Sequence, residues 1–189
     1  MLKTLSYLVD SYLRNQAYEE EHKLSDFKRN AERIEELVRK AVYGIKPNTK
    51  RDSHEVVISD DVLKEMVVKL SDEVVLDKFW KCKYFEDIMA LVYSQKVKGF
   101  GPLCVYDTAL RLGAILNIYP KAVYLHRGTY DGAKNLFGND FIRMNAQLFK
   151  GDRQYPYLEK DCFPLELQRL EVHHIENFLC SRKDDLAFK

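Results

Sequence analysis

The segment from Lys96 to Pro102 contains two glycines separated by one hydrophobic residue, a spacing suited to binding an anion. Gly99 and Gly101 permit the positive φ angles or the close backbone approach that a tight turn needs. Pro102 suits the first position of a following helix, where its missing N–H group is not required. The amides near Gly99, Gly101 and Leu103 would then point outward together at a helix N-terminus, where partial positive charge attracts phosphate.

Charged and aromatic side chains surround this predicted hairpin. Lys96 and Lys98 flank the turn, and we expect them to pair with neighbouring phosphates. Phe100, at the tip, either holds the two flanking helices together or rests on a sugar. Arg111 lies four residues after Asp107, which fits an intrahelical ion pair or a phosphate contact that Asp107 orients.

A second anion site is predicted around His126, Arg127 and Thr129. Gly128 and Thr129 indicate a tight turn followed by a helix that Thr129 caps. The amides at this helix start, together with Arg127, could bind a phosphate. His126 could act as a hydrogen-bond donor or general base, or it is a buried structural histidine with satisfied nitrogens.

We expect neither a metal nor a cofactor. None of the four cysteines has the C-x-x-C spacing of a zinc ribbon or a redox motif. His173, His174 and Cys180 share one predicted helix, but a compact fourth ligand is not evident. The residue pattern identifies no catalytic residue.

The charge distribution favours an anionic partner for the region that contains both turns. The chain has 189 residues and a net charge of +1, yet residues 94–153 carry nine Lys and Arg against four Asp and Glu. Such a positive segment can attract an anion even on a nearly neutral chain. The alternative is that these cations form an ordinary solvated surface.

The elements that must position these residues are predicted to be helices. Hydrophobic residues recur at helical spacing through most of the chain, with Val123–Leu125 as one short extended segment. We predict an all-α, multi-helix single domain over residues 1–189. It comprises an N-terminal helical hairpin at 1–46 and a main helical body at 59–180, with the functional hairpin at 96–102.

The hydropathy pattern predicts a cytoplasmic protein that does not associate with membranes. No run approaches the ~20 apolar residues that a spanning helix needs. The first residues lack the apolar stretch and cleavage site of a signal peptide. We therefore expect reduced cysteine thiols.

The segment Tyr84–Leu112, with Val97-Lys98-Gly99-Phe100-Gly101-Pro102 at its centre, resembles the helix-hairpin-helix motif. That motif occurs in DNA glycosylases, in polymerase and ligase accessory domains, and in junction-binding proteins. The resemblance implies binding to the DNA phosphodiester backbone without sequence readout. Residues 101–113, 123–126 and 128–129 are also similar to a group of uncharacterised bacterial proteins, which implies no activity.

The chain departs from the catalytic pattern of lyase-type glycosylases. Those enzymes carry a lysine two residues after the second glycine and an aspartate after the second helix. Here the first position is Leu103, and residues 122–127 contain no carboxylate. We therefore expect sequence-nonspecific DNA binding. The alternatives are a protein–protein interaction module of unknown partner, in which the hairpin is only a connector, and a glycosylase-like enzyme with a non-standard active site.

Overall fold

The computed structural model describes residues 4–28, 33–45, 50–51, 53–148 and 156–187. Helices dominate these residues and accompany one small antiparallel sheet, which confirms the predicted all-α, multi-helix fold. The α-helices are α1 (Leu5–Tyr12), α2 (Tyr18–Lys28), α3 (Ile34–Tyr43), α4 (Ser53–Val56), α5 (Asp60–Leu70), α6 (Glu73–Phe79), α7 (Phe85–Ser94), α8 (Pro102–Leu116), α9 (Arg127–Phe137), α10 (Asn139–Asn145), α11 (Leu165–Gln168) and α12 (Val172–Arg182). The strands are β1 (Ala122–Tyr124), β2 (Gln147–Leu148) and β3 (Pro156–Glu159). Among the described helices, none is both long enough and apolar enough to cross a membrane.

Several helix ends follow from polar and glycine residues in the local sequence. Ser59 caps α5 by accepting a hydrogen bond from the Val62 amide, and Asp72 caps α6 in the same way. Gly44 ends α3 in the left-handed conformation, with φ of 60°. Pro102 occupies the first position of α8, as predicted.

The chain forms two compact units with boundaries after Glu20 and Pro120. The terminal unit comprises Met1–Glu20 and Lys121–Lys189, and the central unit comprises Glu21–Pro120. These boundaries differ from the predicted ones, because α1 belongs to the terminal unit and α3 to the central unit. The sequence also predicts a loop at 46–53, between the N-terminal hairpin and the main body, and this stretch lies mostly outside the described residues. The assignment of 1–189 to one domain stays a prediction.

The terminal unit packs α1, α9, α11 and α12 around a short sheet. The strand order is β1-β3-β2, and Val123 of β1 pairs with Leu158 of β3. The sequence indicated β1 but not β2, which has two residues, or β3, which begins at Pro156 in a stretch without regular alternation. The helices α9 and α12 approach closely at Gly132, where an added Cβ would overlap the Leu179 carbonyl.

The central unit contains the hairpin. Helix α8 packs against α3 and α7, and α5 packs against α3 and α6. Phe85 of α7 meets Tyr106 of α8 edge-on, with ring centroids 5.7 Å apart. This packing fixes the two helices that enter and leave the hairpin.

Candidate nucleic-acid interface

Two buried hydrophobic residues fix the hairpin between α7 and α8. The Phe100 side chain is fully buried and Val97 is 7% exposed. The Phe100 amide donates to the Val97 carbonyl at 3.1 Å and closes the turn. Phe100 therefore serves as the wedge that joins the helices, and its burial argues against the alternative of a sugar contact.

The two hairpin glycines differ in whether the backbone conformation and the neighbouring atoms require glycine there. Gly99 has φ of +96°, which disfavours any side chain, and an added Cβ would lie 3.2 Å from Val62 Cγ2. Gly101 has φ of −73° and ψ of 169°, which any residue adopts, and nothing lies within 4 Å of an added Cβ. The fold thus requires glycine at 99 but not at 101, where its effect is to leave the backbone bare.

The start of α8 carries uncompensated partial positive charge. Within the described part of the chain, the amides of Gly99 and Leu103 donate no hydrogen bond, whereas the Gly101 amide donates to the Cys104 sulfur. No side chain caps this helix, and its first turn holds no acidic residue. The first turns of α5, α6 and α7 all contain acidic residues that offset the helix dipole. The open amides of Gly99 and Leu103 are two of the three donors that the sequence predicted for an anion site.

The predicted lysines lie beside these amides in different environments. Lys98 is exposed and forms no ion pair with any described residue. Lys96 is half-buried, and its ammonium lies 5.2 Å from the centre of the Tyr93 ring. The contact of Val62 with the Gly99 position also brings the start of α5 near, where Asp61 is exposed. Lys98 is therefore the cation most available to a phosphate.

Arg111 lies in the interior of the central unit. It is 9% exposed, and its Nη1 donates to Glu55 Oε1 at 2.6 Å and to the Ala41 carbonyl at 2.9 Å. Glu55 is fully buried, and its carboxylate occupies the space where a Cβ on Gly44 would lie. The pair connects α8 to α4, and the Arg111 bond to the Ala41 carbonyl connects α8 to α3. This position does not support the predicted phosphate contact by Arg111.

The i,i+4 pair predicted between Asp107 and Arg111 does not form. Asp107 Oδ2 instead lies 3.0 Å from His54 Nδ1. The adjacent α4 residues His54 and Glu55 therefore pair with Asp107 and Arg111 of α8, respectively. Sequence spacing could not identify these partners, because α4 precedes α8 by about fifty residues and is only four residues long. The one local signal was the four-residue spacing of Asp107 and Arg111 on α8 itself.

His126 and Thr129 are buried in the terminal unit. Thr129 Oγ1 donates to Glu176 Oε1 at 2.5 Å, and His126 Nε2 lies 2.9 Å from the same oxygen. His126, rather than Thr129, is the residue that precedes α9. The prediction that Thr129 caps this helix is wrong, because its hydroxyl binds the α12 carboxylate instead. In this cluster His126 is a buried structural histidine, the second of the two roles considered for it from the sequence.

Arg127 is the one predicted member of the second anion site that is exposed. It occupies the first position of α9, while Gly128 packs against the Cys180 side chain. The neighbouring His126 and Thr129 side chains face Glu176 in the interior. The described side chains therefore do not assemble a second anion site around Arg127.

The cysteine thiols have the properties of structural residues. All four lie outside any disulfide, and Cys104 is 4% exposed on α8. Burial, together with the nearby Glu55 and Asp107 carboxylates, raises the pKa of the Cys104 thiol to about 11. Burial also raises the pKa of Cys82 and of Cys162. These shifts disfavour the thiolate that a nucleophile or metal ligand requires.

No protein-family model, curated protein or solved structure matches this chain. Of the predicted site residues, the structure groups Lys96, Lys98, Gly99, Phe100, Gly101 and Leu103 around the start of α8. It places Arg111 in a buried ion pair and His126 and Thr129 in a buried polar cluster. The residues around the start of α8 are therefore the ones whose geometry bears on function.

Proposed function

We propose that the protein binds the phosphodiester backbone of DNA without sequence preference, through residues 96–103. The observation that carries the proposal is the open start of α8 beside a glycine that the fold does not need. Gly101 leaves bare the backbone next to the unpaired amides of Gly99 and Leu103. A phosphate could approach these amides closely and be held by charge-assisted hydrogen bonds.

The lysines supply the long-range attraction and the backbone supplies the position. Lys98 carries a charge with no partner among the described residues, and Lys96 is held near the hairpin by the Tyr93 ring. Contacts of this kind neutralise phosphates and do not read base edges. Binding should therefore depend strongly on salt and little on sequence. Arg111, His126 and Thr129 have no part in the proposed interface.

Fluorescence anisotropy with a labelled duplex of about 20 base pairs tests the proposal when the salt concentration is varied. Each lysine–phosphate contact should contribute about 0.9 to the slope of log K against log salt. Replacing Lys96 and Lys98 together with glutamine should therefore reduce the slope by about 1.8. Lys134→Gln, an exposed lysine on α9, is the matched control and should leave the slope unchanged.

A second pair of variants tests the bare backbone directly. Gly101→Val should fold normally, because φ at this position is ordinary and nothing lies within 4 Å of the added Cβ. Its side chain should nevertheless reduce duplex affinity at least about fivefold by obstructing the amides. Asp61→Asn should increase affinity by removing a nearby negative charge. Wild-type affinity in Gly101→Val, or an unchanged slope in the lysine double variant, would refute the proposal.

A further inference from the structure

A second exposed surface of the central unit combines aromatic rings with lysines. The segment Trp80-Lys81-Cys82-Lys83-Tyr84, here the aromatic–lysine loop, connects α6 to α7. Trp80, the chain's one tryptophan, is 53% exposed and Tyr84 is 59% exposed. Both lysines are exposed, and neither forms an ion pair with a described residue. The loop thus offers two large π-faces and two available cations within five residues.

The aromatic residues that adjoin the loop on either side are buried, in contrast to Trp80 and Tyr84. Phe79, which precedes the loop, is 2% exposed, and Phe85, which follows it, is 1% exposed, so both rings pack in the core. Trp80 instead lies outside, with its ring centroid 5.1 Å from that of Phe79. Large aromatic side chains left on a surface beside polar residues commonly mark binding sites.

The backbone holds the loop in one conformation before any ligand binds. The Lys81 and Cys82 amides donate to the Lys78 and Phe79 carbonyls, each at 3.1 Å. The Lys83 and Tyr84 amides both donate to Asp87 Oδ2 at 3.0 Å. Binding to such a fixed loop avoids much of the entropic cost of ordering it.

We propose that the aromatic–lysine loop binds single-stranded nucleic acid. Unpaired bases would stack on Trp80 and Tyr84, while Lys81 and Lys83 would contact the phosphates between them. Base–aromatic stacking tolerates any sequence because every base has a π-face. The two lysines lie between the two rings in the loop sequence, as phosphates lie between bases along an unpaired strand. A duplex does not offer these stacking faces, because its bases are already stacked and paired.

The loop and the hairpin lie at opposite ends of α7. This ten-residue helix is about 15 Å long, at 1.5 Å per residue. A duplex held by the hairpin could therefore extend a single-stranded tail to the loop. This preference for tailed duplex rests on the function proposed above, whereas binding of a single strand to the loop does not.

Trp80 is a natural reporter for the test. Titrating the full-length protein with an oligonucleotide of about 15 thymidines, or of 15 uridines to compare DNA with RNA, should quench the Trp80 emission as bases stack on the indole. Anisotropy of the labelled strand should show roughly tenfold weaker binding for Trp80→Ala and for Tyr84→Ala. Trp80→Phe should retain most of the affinity, because phenylalanine preserves a stacking face. Tyr7→Ala removes a tyrosine with the same 53% exposure on α1 and is the matched control.

The lysines are tested through salt dependence. Replacing Lys81 and Lys83 with glutamine should reduce the single-strand slope of log K against log salt by about 1.4, at about 0.7 for each contact. Lys64→Gln, an exposed lysine on α5, should leave it unchanged. None of the loop variants should alter binding to a blunt duplex.

Four outcomes decide between the two proposals. Duplex binding without Trp80 quenching by either single strand would overturn the loop site and leave the hairpin proposal standing. Single-strand binding with quenching but no duplex binding would do the reverse, and absence of both would overturn both. Quenching or a blue shift produced by vesicles of phosphatidylcholine and phosphatidylserine, but not by the oligonucleotides, would assign the loop to a membrane surface instead.

Discussion

The buried pair formed by Glu55 and Arg111 gives a prediction that separates structural from binding cations. Glu55→Gln keeps the shape of the side chain but removes its charge, so the Arg111 guanidinium remains buried without a counter-ion. Arg111 is 9% exposed and Glu55 is fully buried, so water cannot replace the lost partner. Breaking a buried pair by neutralising one partner costs about 3–5 kcal/mol. We expect a loss of stability in that range.

Urea unfolding followed by Trp80 emission measures this loss, because Trp80 lies in the same central unit as the pair. With a denaturant slope of about 2 kcal/mol per M, the midpoint should fall by roughly 1.5–2.5 M. The double variant Glu55→Leu, Arg111→Met removes both charges and retains hydrophobic volume. Its stability should return to within about 1 kcal/mol of the wild type, since uncharged replacements of buried pairs are commonly tolerated.

The same double variant tests whether Arg111 contacts phosphate. Duplex affinity and its salt dependence should be unchanged, because the Arg111 guanidinium is bound to Glu55 and the Ala41 carbonyl. A decrease of about 0.9 in the salt slope would restore Arg111 to the interface and contradict its structural assignment. A midpoint shift below about 0.5 M for Glu55→Gln would contradict the proposed cost of the unpaired guanidinium.

Two further predictions concern packing and pH. Gly132→Ala should destabilise the terminal unit by about 2–4 kcal/mol, because the new Cβ would overlap the Leu179 carbonyl. Asp131→Ala, on the exposed face of α9, is the suitable control. Gly138→Ala is not, because φ at Gly138 is +84°. In a chain whose other cysteines are serine, Cys104 should react with a disulfide reagent at pH 8 roughly 100-fold more slowly when folded than in urea. Because folding raises the pKa of Cys104 to about 11, its contribution to stability is complete below the unfolded pKa of ~8.5 and is lost as the pH rises toward 11. Cys104→Ala should therefore lose less stability than the wild type over that pH range, and an equal loss in both would contradict the assignment.

Features encoded by a few neighbouring residues could be predicted from the sequence. The Ser59 cap, the left-handed Gly44 and the helix start at Pro102 each depend on local backbone chemistry, and the structure contains all three. The hairpin belongs to this class, because the buried Val97 and Phe100 and the positive φ of Gly99 lie within four residues. Local rules also identified its lysines.

Features that depend on distant partners could not be predicted. The Arg111 and Thr129 side chains bind Glu55 and Glu176, which are separated from them by 56 and 47 residues. Nothing in the spacing around either residue indicates that a carboxylate would be delivered from another helix. Both residues therefore matched local patterns, an i,i+4 pair and a helix cap, that the tertiary structure replaced.

The net charge of a sequence window differs from the charge of the surface that its residues form. Residues 94–153 carry a balance of +5, but the boundary between the two units falls inside this window, after Pro120. Of its nine cations, Lys96, Lys98 and Arg111 belong to the central unit, and Arg111 is neutralised in the interior. Conversely, Lys81 and Lys83 lie in the stretch 61–93, whose balance is −2, yet they are exposed and unpaired among the described residues. The proposed binding cations of the central unit are therefore the two lysine pairs at the ends of α7. Their salt dependences should be separable, because Lys96 and Lys98 should affect only duplex binding and Lys81 and Lys83 only single-strand binding.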